Sequence, residues 1–396
     1  MLPVLLRRRA AMRARTFLLY SMLCMLLMAA AALLISDAEV NSRTRLDIDA
    51  SHGEVSHLLP GGNEQVVLGH IPQSVRQIWR ERRFPIVLGV PSVDSPPHRT
   101  RRNLQRSSWL RYVGVATRAN NFTGEMLVLF ALGRHFSHGY VYSQAARDEA
   151  SRSHDVLMFD MNDGRPTTNK RIGGSGHWGF AAEVGTSRKS MMWYATALRL
   201  FPHAIYIAKA DDDVFIRVSQ FLADLHTLPR LGVYWGRVMR WMPQKGNPTE
   251  MLYFVGGMCI TMARDVVEHI TSFTPLRSVL DSFEKFHSKE EFDLLRSFNA
   301  EHEDLMLGRV LYETRRPNIT LVFENKCRFH DIHVGGNKAP LTSRSVVVHH
   351  LKEEEYALLA KRFLNETAET VKPMMFDRSL SPFGEVGWVV YSYLCW

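Results

Sequence analysis

Cysteine is scarce, with four in 396 residues. A disulfide-framework protein is thereby excluded. With Cys24 inside an apolar run, Cys259, Cys327 and Cys395 remain, enough for at most one internal bridge with three choices of partner. Acid is absent or rare in two stretches. Arg7, Arg8, Arg9, Arg13 and Arg15 precede the first acid, and residues 76–118 hold ten arginines against Glu81 and Asp94. These two blocks exceed the formal net charge of +9, so the rest of the chain is slightly acidic and the surplus is no uniform nucleic-acid coat. What is plentiful is apolar: 46% hydrophobic and 10% aromatic residues exclude a disordered or collagen-like chain and allow one large or two small domains.

Residues 17–35 are nineteen uncharged, mostly apolar positions. As a helix rising about 1.5 Å per residue they span roughly 28 Å. Five arginines precede them and Asp37 and Glu39 follow, which predicts a cytoplasmic tail (1–16), a signal anchor (17–35) and type II topology. A polar stretch with Pro60-Gly61-Gly62 reads as a stem (36–82), followed by a lumenal catalytic domain (83–396). The short span suits a thin early-secretory membrane, hence a Golgi or ER–Golgi location. Asn121-Phe122-Thr123, Asn318-Ile319-Thr320 and Asn365-Glu366-Thr367 are glycosylation sequons that permit a lumenal body. Nucleic acid then lies across a membrane and is not an expected partner.

Beyond the stem, short apolar runs at 85–90, 126–132, 155–160 and 204–209 alternate with helical spacing at about 99–111, 142–153 and 186–200. That alternation predicts an α/β domain with a mostly parallel, Rossmann-like sheet flanked by helices, whose ligands gather beyond the carboxyl ends of the strands. Asp211 follows one such end directly. Asp211-Asp212-Asp213 sits between two apolar segments, where clustered carboxylates repel unless a cation neutralises them, and oxygen ligands favour Mg²⁺ or Mn²⁺. Alternation along an extended segment lets Asp211 and Asp213 act together while Asp212 turns aside. An acidic surface turn is the competing account.

Glu303-Asp304 opens a helical pattern through Tyr312. Dipole complementation alone explains acids there. Adjacent helical positions differ by about 100°, so only one of the two could face a substrate. Gly256-Gly257 within an apolar run suggests a close backbone approach or a bulge. Val346–Leu351 reads as a buried strand carrying His349 and His350, which become ligand candidates only beside a metal. The apolar C-terminal segment, with Trp388 and Tyr393-Leu394-Cys395-Trp396, is expected to pack on the domain.

In order and spacing, these motifs resemble the inverting β-1,3-galactosyltransferase and N-acetylglucosaminyltransferase family of GT-A fold, with the versions that kinetoplastid parasites use on surface glycoconjugates the most similar. The resemblance runs from about 84 to 352. Arg102 to Trp109 stand for an opening Arg-x-x-Ile-Arg-x-Thr-Trp segment, with Gln105 and Ser108 as departures; Phe130 to Gly133, followed by Arg134, stand for a strand ending in Leu-Gly. Lys209 to Phe215 keep the Lys-x-Asp-Asp-Asp-Val-Phe block, and Glu303-Asp304-Leu305 stands where Glu-Asp-Val is usual. The resemblance implies a Mn²⁺- (or Mg²⁺-) dependent hexosyltransferase that moves galactose or N-acetylglucosamine from a UDP-sugar to a hydroxyl of a glycoprotein, GPI or other surface glycan, forming a β-1,3 linkage. It further implies Asp211, Asp213 and His350 or His349 as metal ligands, Asp304 as general base, and Arg106, Trp109, Arg134, Lys189, Asp211, Asp212, Gly256 and Gly257 on the donor side. Alternatives are a β-1,2/β-1,3 N-acetylglucosaminyltransferase of N-glycans, a catalytically silent glycan-binding partner subunit, and a charge-driven glycosaminoglycan binder.

Overall fold

A computed structural model describes residues 66–172, 174, 176–242, 251–283, 289–375 and 388–395. In chain order the strands are β1 (Val66–Val67), β2 (Ile86–Val93), β3 (Val115–Ala116), β4 (Met126–Arg134), β5 (Val156–Asn162), β6 (Tyr206–Ala210), β7 (Phe215–Ile216) and β8 (Val233–Gly236). They continue as β9 (Val238–Trp241), β10 (Leu252–Val255), β11 (Cys259–Ala263), β12 (Thr320–Glu324), β13 (Phe329–Asp331), β14 (Val347–His349), β15 (Met374–Met375) and β16 (Val389–Tyr393). Among the described residues an eleven-stranded sheet runs β1-β5-β4-β2-β6-β11-β8-β12-β16-β15, with β3 beside β4.

The four apolar runs expected as strands are β2, β4, β5 and β6, adjacent and mutually parallel. Both faces are covered, which is why β4 reads as a continuous apolar run and is buried from Met126 to Gly133. Covering one face is the helix Phe180–Leu200, whose fully buried Trp193 donates its indole N–H to the Ala208 carbonyl at 2.8 Å. The expected helices at 99–111 and 142–153 are Pro96–Ser107, continued by a 3₁₀ turn at Trp109–Arg111, and Gln144–Ser153.

The expected architecture needs correction. Among the described residues no helix is long and apolar enough to cross a membrane, and the span expected at 17–35 lies outside them, as do the tail 1–16 and the stem as far as residue 65. What is shown is a mixed α/β fold with a large, mostly parallel sheet. The sheet departs from simple parallel order at β11, which is antiparallel to both β6 and β8 and marks the join between two parallel sets, the second being β8, β12 and β16. Residues 66–82 are packed structure rather than stem. β1 pairs antiparallel with β5, and the helix Gln73–Glu81 buries Val75 and Trp79, the indole of Trp79 lying 5.6 Å from Phe201 and 6.1 Å from Phe122.

The C-terminal strand is part of the sheet. β16 lies parallel to β12, Trp388 and Tyr393 are buried, and Cys327 is bridged to Cys395, leaving Cys259 as a buried free thiol. Asn121, Asn318 and Asn365 are all exposed. Beneath β16, Arg328 is shared by two fully buried carboxylates, Asp224 and Glu324, the latter also accepting from Trp235 Nε1 at 2.9 Å. Two anions around one cation carry excess negative charge out of water, so burial outweighs Arg328 and pushes Asp224 up to about 6 and Glu324 up to about 7.

For an acid raised in the folded state, the stabilising contribution is complete below its unfolded value, here near 4.5, and is lost as pH rises through about 7. Glu324→Gln is therefore expected to gain about 2–3 kcal/mol relative to the wild type between pH 5 and pH 8, whatever its offset at one pH. Denaturant unfolding of both proteins across that range measures it; parallel pH profiles would refute the shared-charge reading.

Candidate active site

The carboxyl ends of β2 and β6 open on a cleft of about 580 Å³, lined among others by Ser92, Lys189, Lys209, Asp211, Asp213, Gly257, Asp304, His349 and His350. Three segments remote in sequence build it. β6 ends at Ala210 and delivers Asp211; β11 pairs with β6 in the register Cys259↔Ala210, so that the Asp211 N–H donates to Met258 O at 3.3 Å and Gly257 lies beside the acid. β14 pairs antiparallel with β7 in the register Val348↔Phe215, which brings His349 to Asp213.

Asp213, His349 and His350 each offer a ligand atom, all within 4.8 Å of one another. Nε2 of His349 lies 3.1 Å from Asp213 Oδ1 and 3.3 Å from Asp211 Oδ2, while its Nδ1 is 2.8 Å from Asp331 Oδ1. Burial opposes charging of this imidazole, yet Asp213, with Asp211 and Asp331, holds it well above its ordinary value. Three carboxylates meeting at one ring make a place built for positive charge. One carboxylate oxygen and two imidazole nitrogens are a sound donor set for a divalent ion, so the residues fit a metal without identifying which. Both histidines left open by the sequence are thus brought together, whereas Asp211 is held chiefly by Lys209.

Lys209 is fully buried and binds three groups: Asp211 Oδ1 at 2.6 Å, Glu303 Oε2 at 2.7 Å and the Gly257 carbonyl at 3.1 Å. Burial raises the Asp211 carboxyl, but Lys209 and His349 hold it well below the usual carboxylate range; burial raises Glu303 in spite of Lys209. Asp304 is freed for other work. On the helix Glu303–Glu313 both acids border the cleft, but Glu303 is buried and tied to Lys209 while Asp304 is partly exposed, its Oδ2 accepting from the Gly257 N–H at 3.1 Å and its Oδ1 from the Leu305 N–H at 2.8 Å. Gly308 lets this helix approach β10: a Cβ there would lie 2.4 Å from Phe254 Cβ. Burial raises the Asp304 carboxyl, opposed by those two amides and Lys209. A carboxylate raised in this way is a better proton acceptor.

Asp212 turns aside as expected, to His98 Nδ1 at 2.5 Å and Ser92 Oγ at 3.2 Å. Lys189 lines the cleft but is engaged, pairing with Asp163 at 2.7 Å and donating to the Ser92 carbonyl at 2.6 Å. Gly257 acts through its backbone. Gly256 instead donates to the Arg237 carbonyl at 2.7 Å, outside the cleft lining.

Three further expected donor-side residues, besides Gly256, do not line the cleft. Arg106 is taken up by Glu149 and Asp155, each at 2.7 Å; Trp109 is buried in the core; Arg134 pairs with Asp160 at 2.8 Å. Their basic and aromatic character serves packing and internal ion pairing. Residues the sequence reading passed over include Gln105, whose buried amide donates to the Asp212 carbonyl at 2.8 Å, and Asp331, which holds both histidines. Gln105 stood out only as a departure from the Arg-x-x-Ile-Arg-x-Thr-Trp segment, and Asp331 carried no local signal beyond its place at the end of a short run.

No model of a known protein family matches the chain, and no curated protein is significantly similar to it. The site's chemistry therefore rests on its own residues.

Lys209→Met is expected to lower stability at pH 7 by about 3 kcal/mol, since two carboxylates lose their buried partner. Those acids then take up protons on folding, so the deficit should be largest at pH 8 and shrink toward pH 5. Urea unfolding at both pH values checks it; a pH-independent deficit would mean that lost packing, not charge, is responsible.

Proposed function

We propose that the protein is a metal-dependent, inverting hexosyltransferase that moves galactose or N-acetylglucosamine from a UDP-sugar to a hydroxyl of an acceptor glycan. One observation carries the reading: a single cleft presents an Asp-His-His donor set and, on a different element, the carboxylate of Asp304, whose neighbour Glu303 is bound by Lys209. The motif order from Arg102 to His350 supports it. A divalent ion would be held by Asp213, His349 and His350, with Asp211 alongside, and when bound would neutralise negative charge on a diphosphate.

The chain's own residues do the rest. Asp304 accepts the proton from the acceptor hydroxyl as that oxygen bonds to the anomeric carbon and the bond from that carbon to the UDP oxygen breaks, inverting the centre in one displacement. The Gly257 and Leu305 N–H groups each hold one oxygen of the carboxylate and leave each a second lone pair, and Lys209 fixes Gly257 and Glu303 so that the helix start does not rotate. Holding donor and acceptor in line supplies much of the remaining acceleration. The bridge between Cys327 and Cys395 and the exposed sequon asparagines suit an oxidising, secretory lumen.

Asp304→Asn keeps the size of the side chain and one of its two amide contacts, since only its oxygen accepts, but cannot take a proton. Transfer is expected to fall by about 10³-fold or more with UDP binding changed less than threefold, measured as kcat against nucleotide affinity. Near-normal kcat would remove Asp304 from the base role and with it the reading of the cleft.

A further inference from the structure

Successive residues of a strand face opposite sides, so adjacent histidines at a strand end should not both reach one ion. Here they do. His350 has φ +60°, the left-handed region that a non-glycine residue enters at a cost, and its ring lies over that of His349 with centroids 3.8 Å apart. What holds this arrangement is Asp331, 3% exposed at the end of β13, which pairs in parallel with β14 in the register Asp331↔His349. Its Oδ1 accepts from Nδ1 of His349 at 2.8 Å and lies 3.2 Å from Nδ1 of His350, whose hydrogen bond goes to the Val334 carbonyl at 2.9 Å. A carboxylate and a carbonyl only accept, so Nδ1 carries the proton in both rings and Nε2 is left as the ligand atom of each.

The segment between β13 and β14 is shaped around that carboxylate. Oδ2 of Asp331 accepts from the Asn337 N–H at 3.1 Å, the Asp331 N–H donates to Asn337 O at 3.2 Å, and Asn337 Oδ1 is held by Arg237 Nε at 2.9 Å. Gly335, at φ +105°, passes so close that a Cβ would lie 2.2 Å from Asp331 Oδ2. A buried acid wrapped by backbone and serving two imidazoles at once is an orienting group for metal ligands.

We infer that Asp331 is the positioning residue that aims both His349 and His350 at Asp213, giving a two-nitrogen, one-carboxylate centre that takes first-row transition ions in preference to Mg²⁺. The inference rests on the metal reading of the cleft and deepens it. Two imidazoles favour Mn²⁺, Co²⁺ or Zn²⁺, whereas Mg²⁺ prefers an all-oxygen shell.

Calorimetric titration of the metal-free full-length protein with Mn²⁺, Zn²⁺ and Mg²⁺, with no donor or acceptor present, tests it. The wild type is expected to bind Mn²⁺ and Zn²⁺ at least about tenfold more tightly than Mg²⁺. Asp331→Asn should weaken Mn²⁺ and Zn²⁺ binding by about 10–100-fold and change the visible spectrum of the Co²⁺ form, a readout that loss of packing elsewhere would not move. Gly335→Ala, which displaces the carboxylate without removing its charge, should weaken binding in the same direction and covers the case in which Asp331→Asn does not fold. Unchanged affinity and Co²⁺ spectrum in both variants, or equal wild-type affinity for Mg²⁺, would overturn the inference while the metal site stands. A wild type that binds none of these ions would overturn both.

Discussion

The buried ammonium of Lys209 is the tie on which the site depends. It sits at the end of β6, 2% exposed, and neutralises Asp211 and Glu303 at 2.6 and 2.7 Å while holding the Gly257 carbonyl. One cation thus joins a strand end, a turn before β11 and the first turn of a helix, three pieces spread over almost a hundred residues. Without it, desolvated acids on two elements would repel each other, and the turn at Gly257 that holds Asp304 opposite Asp213 would lose its tie to β6.

Charge is managed differently on the two sides of the cleft. On the side of Asp304, Lys209 and backbone amides take up the negative charge, so one carboxylate can remain raised and basic. On the side of Asp213, carboxylates outnumber resident cations, and two stacked imidazoles stand beside Asp331. A centre with spare negative charge and imidazole nitrogens is suited to a divalent ion, and a nearby carboxylate raised by burial is suited to accepting a proton. The division of labour follows from which segment each acid belongs to.

Much of this was legible in the sequence. The β5-β4-β2-β6 core, the strand-end position of Asp211, the turning aside of Asp212 and the burial of the C-terminal segment follow from period, run length and alternation. What failed did so for physical reasons. Arg106, Trp109 and Arg134 look like ligand-binding residues by type, but Trp109 packs in the core and the partners of the two arginines, Glu149, Asp155 and Asp160, come from other elements, which leaves no local trace. The packing of residues 66–82 was missed because a two-residue edge strand and a short amphipathic helix carry little periodic signal. The membrane-anchored architecture expected from residues 17–35 has no counterpart among the described residues. Asp331 was invisible because its role depends on the register of β13 against β14 and on one left-handed residue, neither of which spacing reveals.

The measurement that bears most directly on the central claim is turnover of a panel of UDP-sugars by the purified chain, with Mn²⁺ and then with chelator, reading UDP release and the anomeric configuration of any glycoside formed. The account expects one donor to be consumed, chelator to stop it, and the product to carry the configuration opposite to the donor. Retained configuration, chelator-resistant turnover, or no turnover of any donor by folded, metal-loaded protein would contradict it.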